Sequence, residues 1–399
     1  MKVLVINAGS SSLKYQVIDM EKETMLGKGL VEKIGQKGAN LEQKANGKVL
    51  KVEADIPDHT AAFRLVMKAL TGPEKGIIKD MSEIGAIGHR YVHSGDTFKE
   101  NVVVTADVME KCRQNVPLAP LHMPGHISCT ESCMALMPDT PNVIVFDTVF
   151  HATMPDYAYM YAIKYEDYEE YHVRRYGFHG TSHKFVSEEA IKALGNPKHS
   201  KIITCHLGNG SSMSAVVDGK CVDTSMGLTP LEGMVMGSRC GDMDPAAVTF
   251  LAEQKELNYE QMSNYMNKEC GFKGIAGESD FRKVTELCQG GDEKAQLAVN
   301  MFAYRVKKYI GAYTAVMDGL DAVVFTGGIG ENASFARENI MKGLDSMGID
   351  FDFDKNATAK GGEFHVLSKD KSKVKVFVIP TNEELVIARE AKKLVENAK

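Results

Sequence analysis

Much that would assign this 399-residue chain quickly is missing from it. No apolar run approaches the roughly 18 residues that a membrane-spanning helix needs. Lys2 precedes only the short apolar stretch Val3-Leu4-Val5-Ile6, too brief for the core of a signal peptide. The expectation is a soluble cytoplasmic protein. Basic excess is also absent. The 47 Lys and Arg residues against 53 Asp and Glu leave a formal net charge of −6, which argues against a general nucleic-acid binder. An anionic ligand must then be held by local cations. The eight cysteines lack framework spacing. Cys129 and Cys133 are the nearest pair and have no second pair to match, so thiols are expected rather than disulfides or zinc. No low-complexity linker interrupts the chain, and 44% hydrophobic with 25% charged residues excludes a disordered or fibrous class.

What is present is alternation. "VLVINA", "KYQVIDM" and "KGLVEKI" read as an antiparallel meander, and "HTAAFRLVMKAL" carries apolar residues at helical spacing. "IGAIGHRYVHSG" reads as a buried strand running into a polar loop. "NVIVFDTVFH" is another strand, with Asp147 where the apolar run stops. After residue 150 the pattern restarts. "TCHLGNGSSMSAVVD" echoes "VINAGSSSLKYQVID", which suggests one unit used twice. "DAVVFTGGIGEN" and "VKVFVIPTNEELVIAREAKKLVENA" supply later strands and a closing amphipathic helix. The length suits two domains, drawn at 1–149 plus 382–399 and at 150–381.

The small polar turns carry the chemistry. A glycine and serine turn between strands lets backbone N–H groups approach an anion, with hydroxyls as further donors. One such turn is only a hairpin signal. Here it occurs twice, as "NAGSSS" and "GNGSS", and "TGGIGEN" follows a buried strand into a helix, a geometry suited to phosphate. Neither a Walker A loop nor a G-x-G-x-x-G fingerprint is present. Paired phosphate hairpins in duplicated halves point to an ATP clamp between two domains.

The ordered motifs "NAGSSSLK", "HRYVHSG", "LAPLH", "FDTVFH", "RRYGFHGTSH", "HLGNGSS", "GLTPLEG", "MGSRCGDMDP", "ESDFR", "FTGGIGEN" and "PTNEEL" span nearly the whole chain. In these the chain resembles the acetokinase family, within the superfamily of acetate and sugar kinases, heat-shock chaperones and actin. The resemblance implies an α/β fold of two domains with duplicated actin-like, ribonuclease H-like βββαβαβα cores and an active-site cleft between them. It implies reversible phosphoryl transfer from ATP to acetate, giving acetyl phosphate and ADP. Mg²⁺ is the implied metal, with Mn²⁺ as a substitute, and a homodimer formed through the second domain is the implied assembly. Neither nucleic acid nor membrane is an expected partner. A propionate or butyrate kinase of the same fold is the alternative within the class. A non-kinase actin-like ATP switch is the alternative outside it.

Transfer between two anions calls for positioning and charge neutralisation, with no covalent protein nucleophile. Arg90, at a strand end, and Arg239, in a glycine-rich loop, offer forked guanidinium groups to the carboxylate and the phosphoryl. By resemblance Asp147 is catalytic, orienting either an arginine or a metal-bound water; a helix N-cap is its plainer use. His179 is placed to donate to the phosphoryl oxygens. The spacing of His179 and His183 also allows a zinc pair, but Gly180 stands where an HExxH glutamate belongs. His122 and His126 share that spacing, and Pro124 argues against one continuous helix there. The resemblance places His122 at the phosphoryl region or behind Arg90, and His206 at the second phosphate loop. It gives Asn7 and Glu383 to the metal, although Glu383 could simply favour a helix dipole. Ser10 and Ser12 belong to the first loop, Lys14 would neutralise ATP phosphates or steady that loop, and Leu207, Gly208, Asn209 and Gly210 belong to the second. Asp280, Phe281 and Arg282 fall to the adenosine, with Gly328, Ile329, Gly330, Glu331 and Asn332. Gly327 and Gly328 leave the adenine pocket open, which favours ATP over pyrophosphate. Val92, Leu121, Phe178 and Pro230 would line the acyl pocket.

Tyr91, Ser94 and Met123 depart from the family's usual valine, glycine and asparagine, which bears on acyl-chain preference. The stretch 157–176 holds seven of the fourteen tyrosines, an expected domain or subunit contact.

Overall fold

The computed structural model describes residues 1–398. The chain divides into two compact units, Met1–Val149 with the segment from Asn382 onward, and Phe150–Thr381.

The first unit is built on an eight-stranded sheet. Its strands are β1 (Lys2–Ala8), β2 (Ser12–Asp19), β3 (Thr24–Glu32), β4 (Asn40–Ala45), β5 (Lys48–Glu53), β6 (Ile84–Tyr91), β7 (Val102–Val103) and β8 (Asn142–Phe146). They lie in the order β5-β4-β3-β2-β1-β6-β8-β7. β1 is central. It runs antiparallel to β2, with Ala8 opposite Leu13, and parallel to β6, which is parallel to β8. Val3, Leu4, Val5 and Ile6 are all buried, because a strand paired on both sides and covered on both faces has no solvent side. Helix His59–Leu70 starts at the Asp58 cap, which accepts from Ala61 N–H, and buries Ala62, Phe63, Val66, Ala69 and Leu70. Those residues share a core with Leu4, Ile6, Leu13 and Tyr15 of the sheet and with Cys129 and Cys133 of helix Met123–Leu136. Helix Glu383–Asn397 packs along β1, β6 and β8.

Two features differ from the sequence reading. The apolar runs do not announce the β4–β5 hairpin, whose strands carry many charged residues. Its turn is Asn46-Gly47, both at positive φ (51° and 73°), the pairing that matches the twist of a two-residue hairpin. Pro124 also does not break the region of His122 and His126. It sits in the first turn of helix Met123–Leu136, where no intrahelical N–H is lost, and His126 N–H donates to His122 C=O.

The second unit has a six-stranded sheet: β9 (Lys201–Leu207), β10 (Ser211–Val217), β11 (Lys220–Thr224), β12 (Ala322–Thr326), β13 (His365–Val366) and β14 (Lys375–Val378). Their order is β11-β10-β9-β12-β14-β13. β9 is antiparallel to β10 and parallel to β12, and β12 is parallel to β14. Both units therefore share one plan. Three antiparallel strands are followed, on the other side of the first, by two parallel ones reached through helices. This is the duplicated α/β core that the echo between the two halves predicts.

All eight cysteines are free thiols, six of them buried. The tyrosine-rich stretch is divided. Tyr159 lies 3.5 Å beneath the Arg174 guanidinium and Tyr161 donates to Glu232, whereas Tyr157, Tyr165 and Tyr171 are exposed on their unit. Among the described residues no helix is long and apolar enough to cross a membrane.

Gly125 tests the fit of helix Met123–Leu136 against the β1–β2 turn. A Cβ there would lie 2.8 Å from Gly9 O and 3.2 Å from Ser10 N, both backbone atoms that cannot swing aside. Gly125→Ala should therefore cost about 1–3 kcal/mol in urea unfolding. Gly311, exposed in helix Glu293–Val316 with nothing within 4 Å of an added methyl group, is the control. Gly311→Ala should stabilise by roughly 0.5–1 kcal/mol.

Candidate active site

In each unit the candidate residues gather at the carboxyl ends of the parallel strands, where open α/β sheets place their ligand crevices. The first unit has β1 ending in Asn7 and Ala8, β6 reaching Arg90, and β8 followed at once by Asp147. Arg90 and Asp147 form a two-pronged ion pair. Arg90 Nε donates to Asp147 Oδ1 at 3.1 Å, and Nη2 donates to Oδ2. Burial, the largest influence on Asp147, pushes its carboxyl above the ordinary range; Arg90 pulls it back and Glu383 pushes it up. Burial opposes the Arg90 charge as well, but Asp147 and then Glu383 outweigh it and hold the guanidinium protonated. Glu383 itself opens the C-terminal helix just after its Asn382 cap. The helix thus delivers a carboxylate to the Arg90–Asp147 pair from the far end of the chain.

The β1–β2 turn is tight. Gly9 N–H donates to Ser12 C=O at 2.7 Å, and His59 Nε2 bonds Gly9 O at 2.8 Å. Ser10 is exposed at its tip, and Lys14, opposite Asn7, points outward. His122 caps helix Met123–Leu136 at the surface, its ring stacked 6.4 Å from His126. Val92 is buried, whereas Leu121 is 76% exposed. The departures Tyr91 and Ser94 are internal fittings. Tyr91 is fully buried against His126 and Phe146 and donates to Thr130 Oγ1. Ser94 N–H and Oγ both bond Thr148 Oγ1, tying the loop after β6 to the one after β8. Met123 is likewise fully buried.

The second unit brings its predicted pieces together around the β9–β10 hairpin. A Cβ on Gly210 would lie 3.4 Å from Arg239 Nη1 and 3.8 Å from His179 Nε2, so both side chains bear on this glycine. Gly237 N–H donates to Asn209 C=O at 3.1 Å, and its Cα hydrogens face Ser279 O, which brings the Arg239 loop and the Asp280 segment to the hairpin. Gly208 lies against Gly328 N in the same way, joining the hairpin to the turn after β12. Arg239 is braced by Pro230 C=O at 3.0 Å, and among the described residues no carboxylate pairs with it. Burial lowers its pKa. A half-buried guanidinium with no carboxylate on it among the described residues, beside a glycine turn, has the chemistry to receive an anion. His206 stacks on His179 with ring centroids 4.2 Å apart. Phe178 is buried beside them.

Several predicted contacts prove to be framework. Phe281 is buried against Phe272 and Phe302 and presents no face to a ligand. Beside it, Asp280 caps helix Phe281–Gln289 and both its oxygens are engaged by the exposed Arg282. Leu207 and Ile329 have buried side chains, so only their backbones remain available. Glu331 Oε1 accepts from Gly327 N–H at 3.1 Å and Thr381 N–H at 3.3 Å, holding the turn after β12. Asn332 Nδ2 donates back to Gly328 O, and Gly330 O accepts from the buried Arg337. Arg337 is fully buried although nothing local in the sequence marks it as internal. The nitrogens of His183 are bound by hydroxyls, Thr204 at 2.7 Å and Ser212 at 2.7 Å, rather than paired with His179.

Comparison with known proteins agrees with this layout. A family model described as the acetokinase family matches residues 2–389. An acetate kinase of Clostridium novyi is 54% identical over 400 residues, covering 99% of each chain. One from Methanosarcina thermophila is 54% identical over 399 residues, covering 99% of this chain and 97% of its own. The crystal structure of Porphyromonas gingivalis acetate kinase superposes with a TM-score of 0.95 at 44% identity, covering 99% of both. A propionate kinase from Francisella tularensis superposes at 0.90 and 41% identity, covering 98% of this chain and 99% of its own.

The reassignment of Phe281 can be checked against its neighbour. Phe281→Ala should cost about 3–5 kcal/mol in chemical unfolding, as for a large core aromatic. Arg282→Ala, at an exposed pair, should leave the unfolding midpoint nearly unchanged. Equal small losses would return Phe281 to the surface.

Proposed function

The chain belongs to the acetokinase family, and from that premise we propose that it transfers a phosphoryl group reversibly between ATP and acetate, giving acetyl phosphate and ADP. The observation that carries this reading is Arg239 with His179 over Gly210: a cation with no carboxylate partner and an imidazole, both bearing on a glycine turn. The second unit takes the nucleotide. The β9–β10 hairpin and the turn after β12 offer backbone N–H groups to its phosphates, and the Asp280 segment serves the adenosine end. Because Asp280 is occupied by Arg282, nucleotide binding has to open that pair or use the backbone beside it.

The first unit takes the acceptor. Asp147 occupies both Nε and Nη2 of Arg90, so it acts by orienting the arginine, leaving the rest of the guanidinium edge for the carboxylate. Of the two roles open to Asp147, this one has the geometry behind it. Val92 and Phe178 are assigned to the acyl chain, and Leu121 and Pro230 remain at its margin. His122 is assigned to the phosphoryl region. Asn7 and Glu383 lie in the same unit, and Glu383 is felt electrostatically by both Arg90 and Asp147. An amide and a carboxylate oxygen fit Mg²⁺, which prefers hard ligands and retains water. When bound, the ion would neutralise phosphate charge. A cytoplasmic homodimer is the assembly the family reading carries.

The acetate carboxylate is already a nucleophile at neutral pH, so no general base is required. Crowded negative charge is the barrier, and Arg90, Arg239 and His179 are set against it. Transfer is accordingly direct and in line, without a phosphoenzyme. ATP chiral at the γ-phosphorus should yield inverted acetyl phosphate; retention would make Asp147 or a histidine a covalent carrier. Arg239→Ala should lower kcat about a hundredfold or more, the scale of one lost transition-state donor. Initial rates with formate, acetate, propionate and butyrate decide the acyl preference. Propionate as the faster substrate would favour the reading suggested by the Francisella neighbour, and nucleotide turnover indifferent to every acid would favour an ATP switch. Glu383→Ala should raise the Mg²⁺ requirement with the fold intact, and an unchanged titration removes Glu383 from the metal.

A further inference from the structure

His179 stands just before helix Gly180–Ala193, in the left-handed conformation (φ 57°), with its ring turned back onto β10. Its Nδ1 lies 2.8 Å from Ser212 Oγ. The same hydroxyl lies 2.7 Å from Nε2 of His183, one turn along the helix. His183 Nδ1 is 2.7 Å from Thr204 Oγ1 on β9, and that hydroxyl is 3.5 Å from Ser214 C=O. Thr204, His183 and Ser212 are fully buried. A continuous hydrogen-bonded chain therefore runs from the interior of the second unit to His179. The titratable groups facing it are His151, whose nitrogens meet Phe178 O and Cys221 Sγ, His206, bonded to Ser182 and stacked on His179, and Arg239 across Gly210. Burial first, and then His151 and His206, hold His183 neutral.

A neutral imidazole has one N–H and one lone pair, and a serine hydroxyl has one proton to give. Were Ser212 to accept from both rings, its buried proton would have no acceptor among its bonds to His179 and His183, so a satisfied chain points in one of two directions. In the first, Thr204 donates to His183 Nδ1, His183 Nε2–H donates to Ser212, and Ser212 donates to His179 Nδ1. His179 then carries its proton on Nε2, the nitrogen that bears on Gly210 and Arg239. In the second, every arrow reverses, Thr204 must donate across 3.5 Å to Ser214 C=O, and a neutral His179 presents a lone pair at Nε2. The short Thr204–His183 contact beside that long one favours the first direction. A lone pair facing an anion would repel it.

We propose that Thr204, His183 and Ser212 are positioning residues that set the tautomer of His179, keeping its Nε2 protonated and aimed at the anion site over Gly210. The inference rests on the kinase reading only for what that N–H meets, the transferring phosphoryl. Direct observation of the tautomer separates the two. In the full-length protein labelled with ¹⁵N-histidine, with His179 assigned by comparison with His179→Asn, the wild type should show Nε2–H and a bare Nδ1. Ser212→Ala should populate the Nδ1–H form, and Ser212→Thr, which keeps the hydroxyl, should restore the original one. Thr204→Val removes the proton at the inner end and should have the same effect, so the test survives if one variant fails to fold. In steady state, Ser212→Ala should lower kcat about tenfold or more, the scale for a lost outer partner of a functional histidine, with the acetate KM nearly unchanged. An Nδ1–H tautomer in the wild type, or an unchanged tautomer in a folded Ser212→Ala or Thr204→Val, overturns the proposal. The expected tautomer shifts in a protein that makes no acyl phosphate would uphold the chain and overturn the function.

Discussion

In each unit the candidate residues hang from the central strand of its sheet. β1 and β9 are each paired antiparallel on one side and parallel on the other. A strand in that position is buried on both faces and offers no surface to a ligand along its length. Function is left to its carboxyl end, where the chain must turn back at once to make the antiparallel partner. Such a turn, pressed by neighbouring backbone, admits only small residues. Gly9 is bracketed by Gly125 and His59, and in the β9–β10 turn a Cβ on Gly208 would lie 3.2 Å from Gly210 O. Small residues leave backbone N–H groups bare, and bare N–H groups receive phosphates. The anion sites thus follow from how the sheets close.

The two arginines show how one residue type is held for two purposes. Arg90 is locked by a buried carboxylate and its position is not negotiable. Removing Asp147 would leave a half-buried guanidinium without its partner, and pairs with a buried member are costly to break from one side. Among the described residues Arg239 is steadied by the Pro230 carbonyl and Met236 Sδ with no carboxylate on it, so its charge is unspent. A net-negative chain attracts anions through such local exceptions, not through its overall field.

The departures Tyr91, Ser94 and Met123 teach a related point. Flanking Arg90 and His122 in sequence, they suggest an altered acyl pocket. Their side chains instead point into the first unit, where Tyr91 fits between His126 and Phe146 and Ser94 ties two loops together. Adjacent residues on a strand face opposite sides, so nearness to a functional residue says little about sharing its surroundings.

By itself the sequence determined the strands, the two glycine turns, the repeated plan and the family, because each depends on contiguous residues or on motif order. Apolar runs, turn residues and helical spacing act over a few positions and are legible there. The β4–β5 hairpin escaped because five of its twelve strand residues are charged, although Asn46-Gly47 was the available signal. Tertiary structure decided which side chains face outward. Phe281 went to the core because Phe272 and Phe302 arrive from elsewhere. Glu331 became a brace because Thr381 returns to it after fifty residues. His183 lost its look of a metal ligand because β9 and β10 bring two hydroxyls to its nitrogens. A buried polar atom must find a partner, and the partner's address lies in the fold rather than in the neighbouring sequence.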